Sequence, residues 1–115
     1  MNKTFITGRL TRDPEAGTTK AGINYARFTV AVRKRWHAEG EPDSDFFRIT
    51  AWRGLGDTCL KYLRKSKMVA VVGTVGASCW TTDQGEARCQ MEMDAESVEF
   101  LSTRTADEEA EDERG

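Results

Sequence analysis

Little in this chain is suited to making or breaking bonds. His37 is the sole histidine, and Cys59, Cys79 and Cys89 show no Cys-x-x-Cys spacing. Acid–base catalysis, nucleophilic catalysis and zinc binding therefore lack a constellation, and no catalytic residue, metal or cofactor is expected. The chain does carry flat rings interleaved with cations. Residues 45–53 read Asp-Phe-Phe-Arg-Ile-Thr-Ala-Trp-Arg. In a β-strand, alternate residues fall on opposite faces. One face collects Phe47, Ile49 and Ala51, an ordinary core set. The other collects Phe46, Arg48, Thr50 and Trp52. A strand buried on both sides has no place for Arg48 at its middle. A strand wetted on one side has no structural need of Phe46 and Trp52 there. Exposed rings beside cations suit unpaired bases, which stack on the rings while their phosphates meet the cations. The competing reading is a half-buried strand whose second face is covered by a loop or another subunit.

Two other places repeat the pattern. Residues 25–36 read as a strand with Ala26, Phe28, Val30 and Val32 on one side. Tyr25, Arg27, Thr29, Ala31, Arg33 and Arg35 lie on the other. Trp36 falls on the core parity but beyond the apolar set, so it is either a core residue or re-aimed by a bulge or projecting arm. Farther on, a turn centred on Gln84 sets Trp80 opposite Arg88 and Cys79 opposite Cys89. The two thiols are expected to stay free in a reducing cell.

The elements that must hold these residues follow from periodicity. Residues 3–10 make a first strand, in which Gly8 implies a bulge or a close backbone approach. Residues 11–24 hold turn chemistry and read as loop. The strand at 25–36 pairs with that at 45–53 across a polar loop. Residues 54–65 have helical spacing, with Leu55, Cys59, Leu60, Tyr62 and Leu63 as the apolar stripe. Lys61, Arg64 and Lys65 read as its solvated end. Residues 68–75 form an apolar run expected to be buried on both faces, continuing to Trp80. The return strand, 87–100, switches apolar parity after Ala95, which predicts a bulge near Glu96-Ser97. Three strands, a helix and two strands make an all-β, five-stranded Greek-key OB-fold barrel, with the helix between strands 3 and 4. That fold uses its second and third strands as an oligonucleotide face.

Composition agrees once its distribution is considered. The net charge is −2. Residues 102–115 hold six acids and only Arg104 and Arg114, so residues 1–101 are left mildly basic at +2. One domain at 1–101 with an acidic, disordered tail at 102–115 is expected. No apolar run is long enough for a membrane, and Met-Asn-Lys-Thr does not begin a signal peptide, so the expected setting is cytoplasmic.

The chain resembles bacterial and phage single-stranded DNA-binding proteins over residues 1–101. The resemblance rests on Asn-Lys-Thr-Phe-Ile-Thr-Gly-Arg-Leu-Thr-Arg-Asp-Pro-Glu at 2–15 and Ala-Arg-Phe-Thr-Val-Ala-Val at 26–32. It also rests on Asp-Phe-Phe-Arg at 45–48, Ala-Trp-Arg at 51–53, Tyr-Leu-Arg-Lys at 62–65 and Ala-Glu-Ser-Val-Glu-Phe-Leu at 95–101. It implies base stacking on Trp36, Phe46, Trp52 and Trp80, phosphate contacts from Lys3, Arg9, Arg33 and Arg48, and a homotetramer around which the strand wraps. Arg88 joins the cations through the hairpin pairing. Sequence-independent binding and protection of single-stranded DNA in replication, recombination and repair follows as the expected function. The family's usual apolar tip is not matched by Glu-Asp-Glu-Arg-Gly, so the resemblance does not carry tip-borne recruitment of replication and repair proteins over to this chain. The acidic end can still compete with DNA for the basic face. The alternative is a primosomal-type OB-fold adaptor whose face mainly docks a protein; the run of aromatics argues against it. An enzyme is a third and weaker reading.

Overall fold

Side-chain alternation decides which wall of each strand meets the core, and the computed structural model, which describes residues 1–101, shows how those walls close. The elements are β1 (Thr4–Leu10), β2 (Glu15–Thr18), β3 (Asn24–Arg33), β4 (Ser44–Trp52), α1 (Arg53–Tyr62), β5 (Met68–Thr81) and β6 (Ala87–Leu101). Hydrogen bonding runs β1-β5-β6-β4-β3-β2, and a further β1–β3 pairing closes the ring of five long strands. This is the expected OB barrel, with α1 between the third and fourth long strands. Gly8 sits at the closure. A Cβ there would run into the Ala31 carbonyl of β3, so the close approach is real and requires glycine.

The interior is built from the predicted inward parities. Ala26, Phe28 and Val30 of β3 meet Ile49 and Ala51 of β4, Val69 and Val71 of β5, and Met93 of β6. Each fully buried large aliphatic side chain contributes about 1.5–3 kcal/mol. Helix α1 seals one end with Cys59, joined by Leu63 just past its last turn. Tyr62, expected in the same stripe, instead lies exposed beside Phe100, at 6.1 Å between ring centroids.

Several boundaries differ from expectation. Residues 15–18, expected to be loop, form edge strand β2 against Asn24–Arg27. With Gly and Ala at its centre, β2 is held by its backbone ladder and leaves no alternation to read. Strand β3 stops at Arg33, three residues early, after which the Lys34 amide bonds the Asp43 carbonyl at 2.8 Å. Helix α1 ends at Tyr62, so Arg64 and Lys65 lie past it. Arg64 donates to the carbonyls of Leu60 (3.0 Å) and Leu63 (2.6 Å), satisfying acceptors that a helix end leaves open. Strand β5 is buried on one face only: Val69, Val71 and Gly73 face the core, while Met68, Ala70 and Val72 are half-covered and Thr74 is exposed. The bulge in β6 falls as predicted. Val72 pairs with Ser97 and Gly73 with Ala95, leaving Glu96 as the extra residue.

Candidate nucleic-acid interface

Strand β4 lies between β3, antiparallel, and β6, parallel, and the registers of both neighbours set the outer wall in rows. Trp52 stands beside Tyr25. Thr50 stands between Arg27 and Asp94, and Arg48 between Thr29 and Glu92. Phe46 stands beside Ala31, which is itself opposite Arg9 of β1. Directly beneath, Ile49 and Ala51 are wholly buried. The core thus fixes β4 from below, and its alternation pushes the rings and Arg48 outward.

All four sequence-predicted rings reach solvent: Trp36 is 80% exposed, Trp80 50%, Phe46 48% and Trp52 37%. Trp52 is the most covered because Tyr25 packs edge-on against it, at 5.4 Å and 61°, and its indole N–H makes a long 3.4 Å hydrogen bond to Asp94. Trp36 escapes the core parity because β3 has already ended; the loop carries it away from the wall, with the Arg35 guanidinium 5.6 Å above its ring.

The predicted cations are less available than the rings. Arg33 is exposed at the end of β3. Arg48 is hydrogen-bonded to Glu92. Lys3 pairs with Glu96 at 3.2 Å, Arg9 donates to the Ser66 carbonyl at 3.0 Å, and Arg88 binds Glu86 at 2.6 Å. Arg88 does stand opposite Trp80, as the turn predicted, but its guanidinium points to Glu86. A phosphate that meets any of these four side chains shares it with, or displaces, a partner within the protein. Glu92 responds to its neighbour: the hydrogen bond from Arg48 holds its carboxyl below the usual glutamate range, against partial desolvation, with the charges of Arg48 and Arg27 adding to the effect.

Sequence reasoning passed over Tyr25 and Arg27 as site residues, although alternation had already put them on the outer face. Arg27 lies 5.1 Å from the Tyr25 ring centroid, so the pair repeats the ring-and-cation unit one strand over. The carboxylates of Glu92 and Asp94 were passed over too. Their alternation with Met91 and Met93 was legible, but their positions beside Arg48 and Thr50 depend on the parallel β4–β6 pairing.

Past the row Ala77–Met91, β5 and β6 run on as a two-stranded arm. It turns at residues 82–86, where Gly85 has φ 81° and its amide bonds the Thr82 carbonyl. Cys79 and Cys89 face each other as predicted, but a disulfide joins them, correcting the expectation of two free thiols. Cys59, by contrast, is buried in α1, and desolvation pushes its thiol up to about 11. Among the described residues, no group of three or more His, Cys, Asp or Glu is placed to hold a metal, and no helix is long and apolar enough to cross a membrane.

A five-stranded OB barrel with exposed aromatics and arginines on its second and third long strands is, by class, a module for single-stranded nucleic acid. Residues 1–101 match the Single-strand binding protein family, and the chain belongs to that family. It is a binding protein and not an enzyme. Single-stranded DNA-binding protein 1 of Staphylococcus aureus (strain MSSA476) is 34% identical over 97% of this chain and 72% of its own length. The Single-stranded DNA-binding protein of Halalkalibacterium halodurans is 34% identical over 90% of this chain and 62% of its own. That of Caldanaerobacter subterraneus subsp. tengcongensis is 33% identical over 91% and 71%.

Proposed function

We propose that this protein binds single-stranded DNA without regard to base sequence, protecting it during replication, recombination and repair. The observation that carries the reading is the outer wall of β4, where Phe46 and Trp52 stand exposed on either side of Arg48 above a sealed core. Stacking asks only for a π face, so every base serves. Bases stack on Trp36, Phe46, Trp52 and Trp80. Arg33 meets the phosphates from its exposed position, and Lys3, Arg9, Arg48 and Arg88 do so as their present partners are exchanged. Counterion release then makes affinity fall as salt rises. The protein works in the cytoplasm of a bacterium, or of a phage's host, as a homotetramer. The acidic tail competes with DNA for the cationic face; it lies outside the described residues. The relatives' names support the choice of ligand.

Titration with poly(dT) at low salt tests this reading. Fluorescence from Trp36, Trp52 and Trp80, the three tryptophans of the chain, should be quenched as bases stack. An unchanged signal with no bound DNA overturns the proposal.

A further inference from the structure

We propose that Cys79 and Cys89 form a dithiol–disulfide couple that exchanges with low-molecular-weight thiols and disulfides. We further propose that its state sets how firmly the β5–β6 arm presents Trp80 and Arg88 to a single strand. The second half rests on the function proposed above.

The arm is the part of the sheet with no third strand beside it and no buried residue of its own, although at its root Cys89 borders an open cleft with Lys34, Pro42 and Phe46. Strand β4 pairs with β6 only from Met91 to Asp94, and β1 pairs with β5 only as far as Gly73. In the sheet, residues 78–81 and 87–90 therefore pair only with each other. Every one of them is exposed except Gln90, whose amide reaches back to the Phe46 carbonyl at 3.1 Å. A lone two-stranded hairpin is at best marginally stable in water. Within it, the disulfide is a covalent brace in the row next to Trp80 and Arg88.

The placement also fits exchange without obstruction. Side chains alternate, so the sulfurs lie on the face opposite the Trp80 ring, and a small thiol can approach them without crossing the ring-bearing face. Both cysteines are exposed, whereas Cys59 is sealed in the core with its thiol held protonated. The same chain thus keeps one thiol inert and two within reach.

The chemistry balances with one named co-reactant. A thiolate RS⁻ attacks one arm sulfur, the Cys79–Cys89 bond breaks, and the other cysteine leaves as thiolate. A second RS⁻ attacks the mixed disulfide, releasing RSSR and the second cysteine thiolate. Two RSH have then supplied two electrons and two protons, and the protein holds two thiols. Oxidation by RSSR is the reverse. When reduced, the arm keeps only its ladder, and Trp80 must be ordered at the expense of binding.

The experiment uses the full chain equilibrated in reduced or oxidised glutathione. Thiol titration after unfolding should count three thiols when reduced and one when oxidised, the latter from Cys59. Amide exchange at residues 78–81 and 87–90 should slow on oxidation, with β3 unchanged. Oligo(dT) should bind the oxidised protein about three- to tenfold more tightly, the scale of ordering the backbone of about one residue. The Cys79→Ser, Cys89→Ser double variant should show the reduced value in both buffers. Three thiols in both buffers overturn the couple. Equal arm exchange, or equal affinity, in the two buffers overturns its effect on presentation. Loss of all oligo(dT) binding, with the thiol count and exchange behaving as expected, overturns the presentation role and the proposed function while the couple stands.

Discussion

Trp52 and Trp80 are both held out to solvent, and the parts of the molecule that hold them are built on different principles. Trp52 stands on a wall: β4 has a strand on either side, Ile49 and Ala51 sealed beneath, and Tyr25 against the ring. Trp80 stands on an arm with one neighbouring strand, no core and a disulfide in the next row. The rings are chemically the same, but the cost of holding them differs. On the wall, rigidity is a by-product of the core. On the arm, it must come from local bonds, which leaves the arm able to move and to be regulated separately from the barrel.

The sharpest way to break this contrast is at the level of folding. Ile49→Ala, beneath the wall, should destabilise the protein by about 2–5 kcal/mol, the cost of a cavity in a packed core. Thr81→Ala, on the arm, should stay within about 0.5 kcal/mol. Urea unfolding at one fixed protein concentration measures both. If the arm substitution costs as much as the core one, the arm folds as part of the core and the distinction fails.

Binding separates the two regions less widely. Loss of either ring should cost about 1–3 kcal/mol of single-strand affinity. Trp52→Ala should fall in the upper half of that range and Trp80→Ala in the lower, because binding also has to order the arm. Trp52→Ala should also lower the melting temperature slightly, since Tyr25 and Asp94 lose their contacts with the ring. Trp80→Ala should leave it unchanged. Fluorescence-independent binding, by anisotropy of labelled oligo(dT), together with thermal melts, decides the order. A collapse of the barrel in Trp52→Ala would return that face to ordinary core.

The same contrast explains what was legible in the sequence. Strands β3 and β4 showed themselves because each has one dry and one wet face, so alternation carries the signal. The change of parity around Glu96 betrayed the bulge, and the turn at Gln84 set the arm's register row by row. Strand β2 had no such pattern, because backbone pairing makes it. Trp36 lay on the core parity but beyond the apolar set, which left its re-aiming legible and its cause, the end of β3 at Arg33, hidden. Met91 and Cys89 followed the core alternation, yet they lie on or at the root of the arm and stay exposed. Alternation tells which face a residue takes, not whether anything lies beneath that face. The partners of the cations were hidden for a different reason. Arg48 meets Glu92 across 44 residues of sequence, through a parallel pairing that local pattern does not encode.

That pair supplies the smallest and most discriminating test on the wall. If Arg48 trades Glu92 for a phosphate, Glu92→Gln should tighten binding at neutral pH by about two- to fivefold, the scale of an exposed ion pair. If Glu92 merely positions Arg48, the same change should weaken it. The pH dependence follows the same logic. In the free protein, the hydrogen bond from Arg48 lowers the Glu92 pKa. With Arg48 given over to a phosphate, the carboxyl returns to or above its ordinary value. The complex then holds a proton more readily than the free protein, so affinity should rise as pH falls through that ordinary value toward the lowered one. Folding moves the other way. A depressed folded-state pKa stabilises above the unfolded value, and that contribution is lost as pH falls through the folded one. Acid should therefore tighten the grip of the wall on a single strand while it weakens the barrel, and Glu92→Gln should abolish this group's part in both trends. Affinity independent of pH in the native chain, measured across this window while the barrel stays folded, would mean that Arg48 keeps its carboxylate and that the phosphate is met by other cations.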